Sequence, residues 1–418
     1  MRILLAQNMF WHRTHGGATK SNRILLQDLA ARGHDCRVVA PLTGELGRTS
    51  VDELLHDLAG RGAVPESVSP QAVVVRLNGV LVHLALAPSG LAGLARRVAE
   101  EFAPDWTLVP SDDPGLLMLG VAQQATPGRV VYLAHTLQQL PFGPRAFYPS
   151  VTGTRLVGRC AGVVAVSATA QRYLRAWGGI DATVIQPHVY GPGPHPRHRG
   201  GHVTMINPCG YKGLPIFLAL ADALPDTPFL AVPTWGTSAA ELAELARRPN
   251  VELAGASDDV DAIWARTKVV VVPSLWDETF GYTAVEPMLR GIPVLAADTE
   301  GLREAKLGVP YLLPVRRISR YSAVGGRPEP LLPEQDLGPW LAALTSLLTD
   351  PAHYAELAER SRTTSTAFVA ALDRSRLETY LAGLQPVSAQ GPPARSRLPT
   401  DRHRLAALAH LLTKERLP

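Results

Sequence analysis

Residues 268–293 read KVVVVPSLWDETFGYTAVEPMLRGIP. The run of β-branched residues at 269–272 predicts a strand buried on both faces, as in the centre of a parallel sheet. A loop with Glu278 and Phe280 follows, and a helix is expected to start near Tyr282. That order turns the unpaired backbone N–H groups and the positive dipole end of the helix toward the loop, a setting that suits a phosphate. Gly281 would let backbone approach such an anion closely. Glu278 sits before the helix and Glu286 one turn inside it. Each carboxylate can accept hydrogen bonds from a pair of vicinal hydroxyls. Their separate positions argue against an acid/base dyad.

Upstream, the same alternation recurs. Residues 2–6 (RILLA) read as a buried strand, a Gly-Gly loop follows, and residues 21–32 carry Ile24, Leu25 and Leu29 on one helical face. Gly33 ends that helix and residues 36–40 (CRVVA) form the next strand, which makes a β-loop-α-β unit. Residues 73–77 and 80–84 flank Asn78-Gly79, a two-residue hairpin signal. Strands are further expected at 106–109, 130–134 and 162–166. Residues 187–201 (PHVYGPGPHPRHRGG) are too rich in proline and glycine for an element interior and read as an inter-domain linker. Beyond them the alternation restarts, with strands at 203–207, 229–233, 251–254 and 269–272 and helices at 214–224, 238–247 and 260–266. The fold class is therefore α/β, with two similar domains in tandem. Residues 386–399 read as a second linker. Thr400 is placed to cap a short helix with Leu405, Leu408 and Leu412 on one face, either docked loosely or binding a protein partner.

The chain has 418 residues, enough for two or three domains, each with its own core. A hydrophobic fraction of 46% with 19% charged residues is that of a folded globular protein. A formal net charge of +4 is small for this length and no basic stripe stands out, so nucleic acid is not an expected partner. Cys36, Cys160 and Cys209 are too scattered for a metal pair or a disulfide framework and suit reduced thiols. The opening MRILLAQNMFWHR has too short an apolar run for a signal peptide. Residues 73–86, the most apolar stretch, are interrupted by Arg76 and His83, so no membrane span is expected. A cytoplasmic location follows.

The Glu278-x7-Glu286 pattern, followed by RGIPVLAADTEGLREA, resembles the retaining GT-B glycosyltransferases of family 4. The resemblance covers most of residues 1–384. It implies two Rossmann-like α/β domains facing each other across a donor-binding cleft. The N-terminal, acceptor-side domain would span 1–190 and the C-terminal, nucleotide-sugar-binding domain 200–370. Residues 371–385 would form a helix packing back toward the first domain, and 386–418 the linker and tail. It further implies Glu278 near the donor sugar, Glu286 on the nucleotide ribose, and Phe280, Gly281, Tyr282 and Thr283 around the diphosphate.

Other segments can be set against the same pattern. The loop THGGAT at 14–19 matches the family's Gly-Gly loop, so Gly16 and Gly17 would meet the donor phosphates while His15 and Thr19 face the acceptor. The segment LAHTLQ around His135 is similar to one in sucrose synthases and in the glycosyltransferase that begins mycothiol synthesis. By that likeness His135 faces the reacting sugar and Thr136 and Asp112 the acceptor. Asp112-Asp113 alone lacks the ligands of a metal site, and no metal is implied. In INPCGYKG at 206–213, Lys212 matches the family lysine but Asn207 stands where an arginine is usual. Either another arginine replaces the missing cation, with Arg303 the candidate, or the Asn207 amide serves in its place. Base recognition is expected near 233–236 and 255–259.

The resemblance implies transfer of a sugar, with retention, from a nucleotide-sugar (UDP by family frequency) to a hydroxyl of a soluble small molecule. His135, Glu278 and Lys212 would be the catalytic residues, with no cofactor beyond the co-substrate. Two alternatives remain: a sugar-nucleotide epimerase or hydrolase on the same fold, or a non-catalytic nucleotide-sugar-binding protein, for which the departure at Asn207 is the sequence argument.

Overall fold

In the computed structural model the chain is described over residues 1–11, 16–42, 51–113, 115–255, 257, 259–324 and 327–388. It divides into two units, Met1–Pro187 with the segment from Asp373 onward, and His188–Leu372.

The first unit is built on nine strands: β1 (Arg2–Ala6), β2 (Asp35–Pro41), β3 (Val64–Val68), β4 (Ala72–Leu77), β5 (Val80–Ala85), β6 (Trp106–Pro110), β7 (Val130–Ala134), β8 (Gly162–Ala165) and β9 (Thr183–Val184). They lie in the order β3-β4-β5-β2-β1-β6-β7-β8-β9. Strands β2, β1, β6, β7, β8 and β9 run parallel, and β5 joins β2 in parallel. β4 and β5 form the hairpin expected at Asn78-Gly79, where both residues take positive φ (48° and 80°) and Leu77 pairs Val80. The edge strand β3, which pairs antiparallel with β4, was not expected; its sequence VPESV is exposed throughout and carries no apolar alternation. Buried Val, Leu and Ile of β1, β2, β6 and β7 face cores on both sides of the sheet. The helix Arg376–Gly383 completes one of these cores with Leu377 and Leu381. Glu378 on that helix accepts hydrogen bonds from Arg32 and His34.

The second unit carries β10 (His202–Ile206), β11 (Phe229–Val232), β12 (Val251–Leu253), β13 (Thr267–Val272), β14 (Val294–Ala297) and β15 (Leu312–Leu313), all parallel, in the order β12-β11-β10-β13-β14-β15. The VVVV run is fully inside β13, the strand between β10 and β14. A separate antiparallel pair, β16 (Tyr321–Val324) and β17 (Arg327–Pro330), follows.

The expected inter-domain linker, 187–201, starts where the two units divide, and from His188 on it packs into the second unit. Val189 and Tyr190 are buried, His198 bonds Asp261, and the Arg362 guanidinium donates to the His195 carbonyl, so this segment is part of the second unit. Among the described residues no helix is long and apolar enough to cross a membrane. The tail with Thr400 lies outside the described residues.

In each sheet one pair of neighbouring parallel strands has its onward connections running to opposite sides: β1 and β6 in the first unit, and β10 and β13 in the second. At such a switch point the loops leaving the two strand ends splay apart and leave a crevice at the carboxyl edge.

Candidate functional site

The switch point of the second unit gathers most of the residues singled out above. After β10 the backbone turns left-handed at Asn207 (φ 59°), and a single turn, Gly210–Lys212, brings Lys212 inward. After β13 the loop 273–281 is tied to that turn by the Leu275 N–H, which donates to the Tyr211 carbonyl at 3.0 Å. The Leu275 carbonyl accepts from Ile318 N–H at 2.9 Å. These bonds place the Lys212 ammonium 2.6 Å from Glu278 Oε1 and 4.3 Å above the Trp276 ring. Ser274 Oγ donates to the same carboxylate oxygen at 2.5 Å. The two charged side chains are 17% and 14% exposed. Burial pushes the Glu278 carboxyl up. The Lys212 charge, with hydrogen bonds from Lys212 and Ser274, more than offsets this and holds it below the ordinary value. An ammonium has three N–H groups, so the one on Glu278 leaves two for an anion.

Gly281, with φ 114°, caps the seven-residue helix Tyr282–Met288. That φ is one side chains rarely adopt, and a Cβ there would also crowd Leu302 Cδ2 at 2.6 Å. Phe280 is buried, with its ring 6.0 Å from that of Phe368, and Tyr282 packs against Tyr190. The Phe280 side chain is committed to the interior, while Tyr282 is partly buried. Thr283 is partly exposed and Glu286 is buried.

Asn207 is 5% exposed and its Oδ1 accepts from the Gly236 N–H at 3.0 Å. Its Nδ2 is buried with no hydrogen-bond partner. Asn207 therefore anchors the 233–236 turn and retains two donors. Arg303, the candidate to replace the missing cation, is exposed and forks onto Asp298 at 2.5 and 2.9 Å. A cation that sequence reasoning missed is Arg317, which donates to Asp277 Oδ1 at 2.7 Å, one residue from Glu278. Also missed is an aromatic group. Trp276 lies 5.5 Å from Tyr211 and 6.0 Å from the exposed Trp235, and Tyr211 stacks on Tyr321 at 6.4 Å. Trp235 in the expected base-recognition turn was the one available signal.

The first unit has its own cluster at the carboxyl ends of β1, β6 and β7. Gly16 caps the helix Gly17–Ala31, and Thr19 in its first turn is buried and donates to the Gly16 carbonyl at 3.1 Å. His15 lies outside the described residues. Ser111 Oγ accepts the N–H groups of both His135 and Thr136, at 3.0 and 3.1 Å, which fixes the end of β7. The hydroxyl of Thr136 donates to Asp112 Oδ1 at 3.3 Å. Burial pushes the Asp112 carboxyl up to about 6, against the lowering effect of the Thr136 bond. Asp113 turns the other way, and its Oδ2 accepts from Met118 and Leu119 N–H at the start of the helix Leu117–Ala125. His135 is buried, its Nε2 is 2.8 Å from Asn22 Oδ1, and burial lowers its pKa to about 4. It is a neutral ring near pH 7. Asn22 carried no sequence signal, because nothing local distinguishes it from a polar residue on a helix face.

Two family models match the chain: Glycosyltransferase Family 4 over residues 15–190 and Glycosyl transferases group 1 over residues 201–321. A D-inositol 3-phosphate glycosyltransferase of Gordonia bronchialis is 30% identical over 135 residues, 32% of this chain and 25% of that protein. A 42.6 kDa protein of the Klebsiella pneumoniae cps region is 32% identical over 101 residues, 24% of this chain and 27% of that protein. The chain thus spans about a quarter of the length of the curated relatives it matches. Among solved structures, Anabaena HepE in complex with UDP and glucose superposes with a TM-score of 0.64 at 17% identity, over 92% of this chain and 100% of that one. The catalytic domain of Arabidopsis thaliana starch synthase IV bound to ADP and acarbose gives 0.60 at 13%, over 91% and 98%. The first part of the chain thus matches the Glycosyltransferase Family 4 model and the second the Glycosyl transferases group 1 model, and the fold is the GT-B fold of these solved structures.

Proposed function

We propose that this protein transfers a sugar, with retention of anomeric configuration, from a nucleotide-sugar to a hydroxyl of a soluble small-molecule acceptor. The observation that carries the reading is the Lys212–Glu278 pair at the second unit's switch point, beside the backbone of Gly281, Tyr282 and Thr283 and with Glu286 on the following helix. Lys212, with two N–H groups to offer, would neutralise the donor diphosphate. Glu278 would hold sugar hydroxyls, and Glu286 those of the ribose. The Trp276–Trp235–Tyr211 group offers flat apolar faces for a base or sugar ring.

In the reaction, the bond between the anomeric carbon and the β-phosphate oxygen breaks, and the acceptor oxygen bonds the same carbon on the same face. The acceptor proton passes to the departing β-phosphate. No protein nucleophile is needed, and the side chains contribute position and charge stabilisation. The first unit's Thr136 and Asp112 would bind the acceptor, with His135 on the sugar. Asn207 would contribute its free amide N–H groups where relatives have an arginine. UDP is the first nucleotide to test, since relatives of this fold were solved with UDP. The free thiols suit a reducing compartment, in line with a cytoplasmic enzyme.

Calorimetric titration of UDP, GDP, ADP and dTDP into the protein and into Glu286→Ala tests the donor site. Binding of one nucleotide, lost in the variant, is expected. No binding by any of the four overturns the reading. Proton NMR of the product's anomeric coupling then tests retention.

A further inference from the structure

His135 does not stand alone. Gln7, at the end of β1, places its side-chain nitrogen 2.7 Å from the Met9 carbonyl oxygen and 2.8 Å from that of Phe10. Carbonyl oxygens only accept, so the group facing them is the amide NH₂ and the orientation of Gln7 is settled. Its Oε1 must then receive a hydrogen bond, and Asn22 Nδ2 supplies it at 3.2 Å. Asn22 in turn presents Oδ1, another pure acceptor, 2.8 Å from His135 Nε2. The hydrogen in that contact belongs to histidine. A neutral imidazole has one N–H, so Nδ1 carries the lone pair. Histidine tautomers are ordinarily assigned by weighing alternatives; here two backbone carbonyls dictate the assignment through two amides. Gln7, Asn22 and His135 are 0%, 2% and 8% exposed, so water does not compete for these bonds. Nδ1 is itself buried and has no hydrogen-bond partner.

We propose that Gln7 and Asn22 are positioning residues that lock His135 as the Nε2–H tautomer and so make its Nδ1 a fixed acceptor for a substrate hydroxyl. The substrate half rests on the proposed sugar transfer; the tautomer half does not. In this role His135 orients a hydroxyl by receiving its proton in a hydrogen bond, and does not donate to developing negative charge. The arrangement selects a ligand that offers O–H at that place over one that offers only an acceptor, because two facing lone pairs would leave buried groups unpaired.

The test is nitrogen NMR of ¹⁵N-histidine-labelled protein at neutral pH, with the His135 signals assigned by their absence from His135→Gln. The expected result is a pyridine-type Nδ1 and a protonated Nε2 in the wild type, changing to a mixture of tautomers in Asn22→Ala. A protonated Nδ1 in the wild type, or an unchanged tautomer in Asn22→Ala, overturns the relay. If Asn22→Ala does not fold, Gln7→Leu gives the same reading, since without the Gln7 carbonyl oxygen nothing fixes which way the Asn22 amide turns. Transfer assays on the same variants separate the two halves. Tautomer loss should lower kcat at least tenfold when each variant is assayed well below its own melting temperature. Tautomer loss with undiminished transfer overturns the positioning role. Absence of transfer by the wild type overturns the proposed function and leaves the tautomer relay standing.

Discussion

Lys212 and Glu278 are 66 residues apart in the chain and 2.6 Å apart in space, at the ends of the neighbouring strands β10 and β13. The pair is mostly buried, so removing one partner leaves the other charge poorly solvated. Lys212→Met is expected to lower stability by about 3 kcal/mol and to abolish nucleotide binding. Lys212→Met with Glu278→Gln should lose less stability than the sum of the single changes, because no charge is left stranded. Calorimetric melting of the four proteins checks this, and additive losses would show that the pair is not coupled. Since Glu278 titrates below its unfolded value, its contribution is present at neutral pH and is lost only as the pH falls below the ordinary carboxylate range.

Gly301 supports the loop that carries Glu278. A Cβ at position 301 would lie 2.0 Å from the Glu278 carbonyl oxygen and 2.7 Å from its carbon. Backbone atoms cannot rotate out of the way, so the loop itself must move. Gly301→Ala is expected to lower stability by roughly 2 kcal/mol and to weaken nucleotide binding at least tenfold by titration calorimetry. Gly60→Ala, where a Cβ meets nothing within 4 Å, serves as the control and should leave both unchanged. Undisturbed binding in Gly301→Ala would mean the loop tolerates displacement.

Asp112 is held at a cost. With its pKa raised to about 6 by burial, the folded chain binds a proton there that the unfolded chain has released between the ordinary aspartate range and pH 6. Its contribution to stability is therefore present at acidic pH and is lost as the pH rises through 6. Asp112→Asn should raise the melting temperature at pH 8 and leave it nearly unchanged at pH 4, while reducing transfer to the acceptor. An equal gain at both pH values would contradict the raised pKa.

Lys306 is fully buried, and its Nζ donates to the Val294 carbonyl at 2.5 Å. Burial lowers its pKa to about 7. Between that value and the ordinary lysine range the unfolded chain carries a proton that the folded chain has shed, so stability rises with pH across this interval. Lys306→Met should remove that dependence and raise stability near pH 7 by roughly 2 kcal/mol. Melting curves from pH 7 to 10 that stay parallel for the two proteins would argue against it.

Much of the architecture was legible because its causes are local. Val269, Val270, Val271 and Val272 read as a buried strand since β-branched side chains fit both faces of a parallel sheet, and they form β13. Asn78-Gly79 read as a hairpin since both residues tolerate positive φ, which they adopt. The exposed strand β3 was missed because nothing in VPESV distinguishes its two faces; it is a strand through its pairing with β4. The 187–201 segment was read as an inter-domain linker from its prolines and glycines; the units divide at its start, and Val189 and Tyr190 are buried and Arg362 holds the His195 carbonyl. Composition reports how a chain can bend, not what it will pack against.

The site divides the same way. The loop–helix setting of Glu278, Gly281 and Glu286 lies within nine consecutive positions and could be read from order alone. So could the placement of Lys212 and His135 at the ends of strands. Which of these groups touch was decided by the tertiary structure. The order of strands in each sheet brings the loops after β10 and β13 together, and with them Lys212 and Glu278. In the first unit the same principle joins His135 to Asn22, 113 residues away, and through it to Gln7. Sequence by itself determined the alternation of strand and helix, because period and turn chemistry act over a few residues. The ionic pairing, the neutral state of His135 and its tautomer were decided by folding alone, because charge, burial and hydrogen bonding depend on neighbours that only the sheet order supplies.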